Sequence, residues 1–271
     1  MKVFNTGETE ESLKKAYNAE GSDLRKGQII MLDMLKYIDK LCKENGIEYR
    51  LSGGQVLGAI RHGGFIPWDD DIDISLSRKN YKRLHKILQN QTGGRYQLQD
   101  HHTDPNYYLF YYKLRDTKSH KISEVNTKSS MRYDGFQVDC FPTIKGSIDF
   151  LHKIDIVFFN KFTRRFYSSN KLMFELCFFF QKNVLHNLFR FISYVFGDKN
   201  VIGFDYGSGI PDKVNYSYIY PLKDIMYEGV VFPGPKDPVK YCTVRYGETW
   251  NELPPADKRN HHGVDGVIID D

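Results

Sequence analysis

The sequence predicts an α/β (α+β) fold: a mixed-sheet core with flanking helices and a Phe-rich helical insertion. Three observations predict it. Apolar residues recur at helical spacing from Leu24 to Leu41 and again from Tyr81 to Leu88. Short apolar or alternating runs separate and follow those stretches, so helix and strand alternate as they do in a mixed catalytic core. The third observation is the run 147–203, dense in Phe and interleaved with Lys and Arg, which breaks that alternation.

The elements follow in order. Residues 1–21 are polar and charged and read as an arm or a short helix. Ser22 or Asp23 can cap a helix carrying Leu24, Ile29, Ile30, Leu32, Met34, Leu35, Ile38 and Leu41, with Gly46 as its stop. Ile47–Leu51 reads as a strand, Gly53-Gly54 as a turn and Gln55–Arg61 as a turn or two of helix. Ile72–Leu76 alternates apolar Ile72, Ile74 and Leu76 with polar Asp71, Asp73 and Ser75, a strand with one face of each kind. Asn80–Gln89 reads as helix; Gln97–Leu98, Tyr108–Leu114 and Phe136–Phe141 read as strands. These complete a core over 22–146. Residues 147–203 form the helical insertion, and 204–271, with strand-like YIYPL and GVVFPGP, complete the catalytic domain.

Bulk composition narrows the class. A hydrophobic share of 41% is enough for a packed core, and a net charge of +4 suits an anionic small molecule or polymer without demanding nucleic acid. Cys42, Cys140, Cys177 and Cys242 are scattered, which argues against a zinc site and for a reduced compartment. The N-terminus has no apolar signal region, so the expected location is cytoplasmic. In the insertion, Glu175, Gln181, Lys182, Asn183, His186 and Arg190 interrupt every long apolar run, which disfavours a membrane-spanning helix. The favoured reading is an amphipathic helical insertion packed on the core; the alternative is a basic, aromatic helix lying peripherally on the inner face of the plasma membrane.

Chemistry concentrates in LSGGQVLGAIRHGGFIPWDDDIDISL, Leu51 to Leu76. Alternation places Asp71 and Asp73 on one face of a strand, where two carboxylates repel unless a cation lies between them. Mg²⁺, or Mn²⁺, takes hard oxygen ligands and keeps positions for water and phosphate. A lone Asp-x-Asp would more simply be a solvated edge, but Asp69 and Asp70 add charge that needs relief. Gly53 and Gly54 let backbone N–H groups approach a phosphate. Further on, Asp139 sits in the apolar strand GFQVDCFP and needs a partner: a basic side chain such as Arg115 or Arg61, or the same cation. A glycine turn, paired acids and a later strand acid follow the logic of a nucleotidyltransferase fold.

The stretch Leu51–Ile74 closely resembles the signature of the LicD family of phosphotransferases, which includes the fukutin-related proteins. YYKLRDTKS (Tyr111–Ser119), GFQVDCFP (Gly135–Pro142) and the segment Tyr227–Pro255 resemble its later blocks, in order. Four ordered blocks are far more specific than one acidic pair. The resemblance implies a nucleotidyltransferase-like fold and transfer of a phospho-substituent from a nucleotide-activated donor to a glycan hydroxyl. The donor expected is CDP-choline, with CDP-ribitol as the variant, and the acceptor a surface glycan such as teichoic acid, lipopolysaccharide or capsule, or its lipid-linked precursor. It puts Asp71, Asp73 and Asp139 in the metal and catalytic places and Gly53 and Gly54 in the glycine turn. Asp69 and Asp70 complete the acidic block.

In-line transfer needs mainly positioning and charge neutralisation. Arg61 and Arg115 are candidates for bidentate phosphate contacts and Lys113 for a point charge. Each has a plainer role: Arg61 as counter-charge to the acids, Arg115 as partner of Asp116 or Asp139. His62, His261 and His262 read as loop or surface residues, and Trp68 as loop packing with base or choline stacking as the minority role. Rival readings are nucleotidyl transfer from an NTP, a metal-dependent glycosyltransferase, and an inactive glycan-binding protein.

Overall fold

A computed structural model describes residues 2–91, 93–122, 131–259 and 266–269. It has the mixed α/β architecture expected. The centre is a seven-stranded sheet ordered β1-β2-β6-β4-β3, with β7 on the far half of β6 and β8 beyond it. The strands are β1 (Tyr49–Leu51), β2 (Ile72–Ser77), β3 (Tyr96–Gln99), β4 (Tyr112–Asp116), β6 (Gln137–Lys145), β7 (Val201–Phe204) and β8 (Val214–Asn215). β2 and β6 run parallel; every other pairing in this sheet is antiparallel. Two small ribbons stand apart: β5 (Ser119–Ile122) with β11 (Gly266–Ile269), and β9 (Lys223–Tyr227) with β10 (Val230–Gly234).

The long helix α2 (Asp23–Glu44) starts where Ser22 accepts the N–H of Arg25 and buries Met31, Met34, Leu35 and Ile38. The N-terminal arm is not loose. It holds α1 (Glu10–Tyr17), capped reciprocally by Thr9 and Ser12, and Leu13 is fully buried in the main core. Glu8 accepts both N–H arms of Arg259 at 2.8 and 2.6 Å, and the guanidinium pulls the Glu8 carboxyl down to about 2. Arg259 also lies over the Trp68 ring, which packs edge-on to Tyr17 and His62, so Trp68 locks this loop. His261 and His262 lie outside the described residues.

Helices α3 (Gly54–His62) and α4 (Arg78–Gln89) follow β1 and β2 directly. Two expected strands differ. Residues 107–111 are irregular, with Tyr107 fully buried, and the strand begins only at Tyr112. YIYPL is not a strand: α9 (Tyr216–Ile219) makes one helical turn, which ends ahead of Pro221, where proline cannot continue it.

The insertion is an antiparallel helical hairpin. Its first arm is α5 (Asp149–Phe158), a π turn Phe159–Thr163 and α6 (Arg164–Tyr167); its second is α7 (Lys171–Phe180), a π turn Gln181–Leu185 and α8 (His186–Phe196). Buried polar groups pin the arms together. Gln181 donates to Asp155 at 2.7 Å and accepts from Thr163 at 2.7 Å, while His186 meets Asp155 at 2.8 Å. Leu151, Phe189 and Tyr206 form a second small core beneath it.

Candidate active site

The site grows from the parallel pairing of β2 and β6. Asp73 and Asp139 are register partners across it, and Lys113 on β4 stands opposite Asp139 on the other side. Lys113 Nζ lies 2.8 Å from Asp139 Oδ2, both nearly buried, so Lys113 rather than Arg115 or Arg61 is the partner that the strand acid needs. The other oxygen, Asp139 Oδ1, is buried without a hydrogen-bond partner among the described residues.

Asp71 sits one residue ahead of β2, and two buried amides fix the acidic run. Gln55 donates to the Asp71 carbonyl at 2.8 Å and accepts the Asp73 N–H at 2.8 Å; Gln28 of α2 donates to the Asp69 carbonyl at 2.9 Å. Asp69, Asp71 and Asp73 act on one another, and their repulsion is visible. Burial, then Asp71, Asp139 and Asp69 push the Asp73 carboxyl well above its ordinary value, with Arg245 opposing. Burial, then Asp71 and Asp70 raise Asp69, with Lys121 opposing. Asp69 Oδ2 is buried and has no hydrogen-bond partner among the described residues.

The glycines explain why both carboxylates can lie against the start of α3. A Cβ on Gly53, at φ +60°, would come 2.8 Å from Asp73 Oδ2; a Cβ on Gly54 would come 2.8 Å from Asp69 Oδ2. Two acids press on the positive end of a helix, where backbone N–H groups point outward. The Gly53 N–H itself is taken by Tyr241 Oη at 2.9 Å, so it is not the open phosphate donor expected of it.

Three expected basic residues separate. Lys113 joins the acids. Arg115 is adjacent but committed: Nε donates to Gln99 at 2.6 Å and an NH1 arm to Gly135 O and Gln137 Oε1 at 2.6 and 2.7 Å. It pairs with neither Asp116, which takes Arg95, nor Asp139. Arg61 is at the opposite end of α3, donating to His62 Nε2 and to the carbonyls of Trp250 and Glu252. Burial lowers its pKa to about 10. It clamps the C-terminal segment and is not a counter-charge to the acids. Asp70 turns away too, its carbonyl and Oδ2 receiving Lys121 Nζ at 3.0 and 3.4 Å.

Lys121, Tyr241, Arg245 and Gln55 were not foreseen. Tyr241 and Arg245 lie one turn apart on α10 (Pro238–Tyr246), where the i, i+4 spacing puts them on one face, and both bond Asp212. That spacing was legible; nothing in sequence marked Lys121, which reaches the acids through the β5 ribbon. Beside the acids, Tyr111 packs on Phe141 at 4.4 Å and borders a cavity of about 260 Å³ between core and insertion, lined also by Phe110, Asp155, Phe159, Gln181 and Gly207.

A resident Mg²⁺ or Mn²⁺ can be tested against these residues. No group of three or more His, Cys, Asp and Glu among the described residues forms a ready cage. Mg²⁺ seldom uses one: it takes one or two carboxylates and completes its shell with water and substrate phosphate. Unpartnered oxygens on Asp69 and Asp139 and the repulsion lifting Asp73 are what such an ion relieves. The donor set fits.

A family described as "LicD/FKTN/FKRP, nucleotidyltransferase domain" matches residues 46–237. Lipopolysaccharide cholinephosphotransferase LicD of Haemophilus influenzae is 28% identical over 260 residues, covering 91% of this chain and 98% of that protein. Ribitol 5-phosphate transferase FKRP of Homo sapiens is 44% identical over 41 residues, 15% of this chain and 8% of that protein.

Proposed function

Since the chain belongs to the LicD/FKTN/FKRP nucleotidyltransferase family and is a phosphotransferase of that kind, we propose that it moves phosphocholine from CDP-choline to a hydroxyl of a surface glycan such as lipopolysaccharide. The supporting observation is the adjacency of Asp73 and Asp139 across β2 and β6 beside the Gly53-Gly54 turn. Near-full-length similarity to a lipopolysaccharide cholinephosphotransferase favours choline. The short, denser match to a ribitol 5-phosphate transferase makes CDP-ribitol the second donor to assay.

The step is in-line: the acceptor oxygen bonds the donor's outer phosphorus, the bond to the bridging oxygen breaks, and CMP leaves. Asp71 and Asp73 would hold a divalent cation, with water and donor phosphate completing its shell; when bound it supplies charge neutralisation at the diphosphate. Lys113 keeps one Asp139 oxygen fixed, leaving Oδ1 to join the cation or to accept the hydroxyl proton. Gln55 and Gln28 hold the acidic backbone so that the carboxylates converge without reorganising. The test is product mass spectrometry with CDP-choline, CDP-ribitol, CTP and ATP offered in turn. A phosphocholine adduct with CMP supports this reading; a nucleotidyl adduct from CTP or ATP, or no adduct with any donor, rejects it.

A further inference from the structure

The insertion has two apolar faces, and only one is used. Phe174, Phe178, Phe189 and Ser193 point inward and are buried. Along the outside of α7 and α8, Leu172, Leu176, Phe179, Leu188, Phe191 and Val195 form an exposed stripe; Phe179 is 64% and Phe191 63% exposed. Their spacing is helical, with the π turn at Gln181–Leu185 absorbing the drift between Phe179 and Leu188. Phe150, Ile154, Val157 and Phe162 repeat the pattern on the first arm. Of 25 large hydrophobics exposed among the described residues, 15 fall within 147–203. A concentration of that kind marks a surface that something covers.

Charge says what covers it. Residues 147–203 hold eight Lys and Arg against four Asp and Glu, a net +4 equal to that of the entire chain. Three of those acids are spent: Asp149 on Lys213, Asp155 on His186, Glu175 on His101. Lys153, Lys161, Arg164, Arg165, Lys171 and Lys182 remain exposed on the same hairpin. A second copy docking face to face would bring these cations against each other. An anionic lipid surface takes both the stripe and the charge. No helix among the described residues is long and apolar enough to cross a membrane, which fits helices that lie in the interface.

We propose that the hairpin Asp149–Phe196 docks its outer face on an anionic membrane surface, with the catalytic core held on the hairpin's other side. The cavity beside Tyr111 is lined by Asp155 and Gln181, buried residues of the hairpin, and not by the exposed stripe, so docking through the stripe does not cover it. The inference concerns attachment and does not depend on which donor is used.

The full chain is sedimented with vesicles of phosphatidylcholine mixed with phosphatidylglycerol, and with phosphatidylcholine alone. Strong binding to the anionic vesicles only, weakened by salt, is expected. Phe179→Glu with Phe191→Glu should lower partitioning at least about tenfold, and Arg164→Glu with Arg165→Glu should remove most of the anionic preference. Both double variants are exposed, and circular dichroism checks that they fold. Light scattering of the wild type should give a monomer. Absence of vesicle binding, binding indifferent to all four substitutions, or a dimer that Phe179→Glu with Phe191→Glu splits would each overturn the proposal. Binding is read without substrate, so its failure is separate from failure of the transfer chemistry.

Discussion

Asp73 and Asp139 are register partners on adjacent parallel strands, and among the described residues only Asp139 of the two has a basic side chain in contact. The asymmetry gives the two acids different duties. Asp73→Asn should keep the fold and lower transfer at least about 100-fold, because it removes a carboxylate that would hold the cation neutralising the diphosphate. Steady-state CMP release against donor concentration measures it.

The raised carboxyls make stability depend on pH. Asp69 and Asp73 hold protons in the folded state at pH values where the unfolded chain has lost them. Folding stability should therefore fall as pH rises from the ordinary carboxylate value of 3.8 through the raised range. In EDTA the melting temperature should decline across that window, and Mg²⁺ should restore it at neutral pH. Asp73→Asn should raise the melting temperature in EDTA and lose the Mg²⁺ response. A flat profile in EDTA would remove the repulsion on which the cation site rests.

Lys113→Met leaves Asp139 buried and unpaired, which should cost about 3–5 kcal/mol in EDTA by urea unfolding. Added Mg²⁺ should recover part of that loss, since a cation can then take both Asp139 oxygens. An equal loss with and without Mg²⁺ would place Asp139 outside the cation's reach.

The two glycines can be separated. Gly54→Ala has ordinary backbone and meets only the Asp69 carboxylate, so transfer should fall about tenfold with little change in melting. Gly53→Ala meets Asp73 at positive φ and should also cost about 1–2 kcal/mol of stability. Equal effects of the two on melting would contradict the distinction.

Arg61→Ala should behave as a structural change. It releases the Trp250 and Glu252 carbonyls, so stability should drop about 2–4 kcal/mol while the KM for donor per folded molecule stays put. A rise in KM without loss of stability would return Arg61 to the phosphate site.

The parts of the site legible in sequence are those that short-range geometry decides. Period two put Asp71 and Asp73 on one face, and the glycine pair marked the close approach. What needed long-range register was not legible. Lys113 and Arg115 are two apart on one strand and share a face, so alternation cannot choose between them; register sets Lys113 opposite Asp139 and Arg115 opposite Gln137. Arg61 is near the acids in sequence, yet α3 carries it to the far end. The insertion is apolar on both faces, so periodicity could not say which face packs and which stays bare.

The proposed function requires that the acids around Asp73 form a cation-dependent phosphotransfer centre. The most direct measurement is mass spectrometry of lipopolysaccharide incubated with CDP-choline and Mg²⁺, using wild type, Asp71→Asn and Asp73→Asn, each checked for folding. The expected result is a phosphocholine adduct and CMP from the wild type, lost with EDTA and lost in both variants. Full Mg²⁺-dependent turnover by either folded variant would contradict the account.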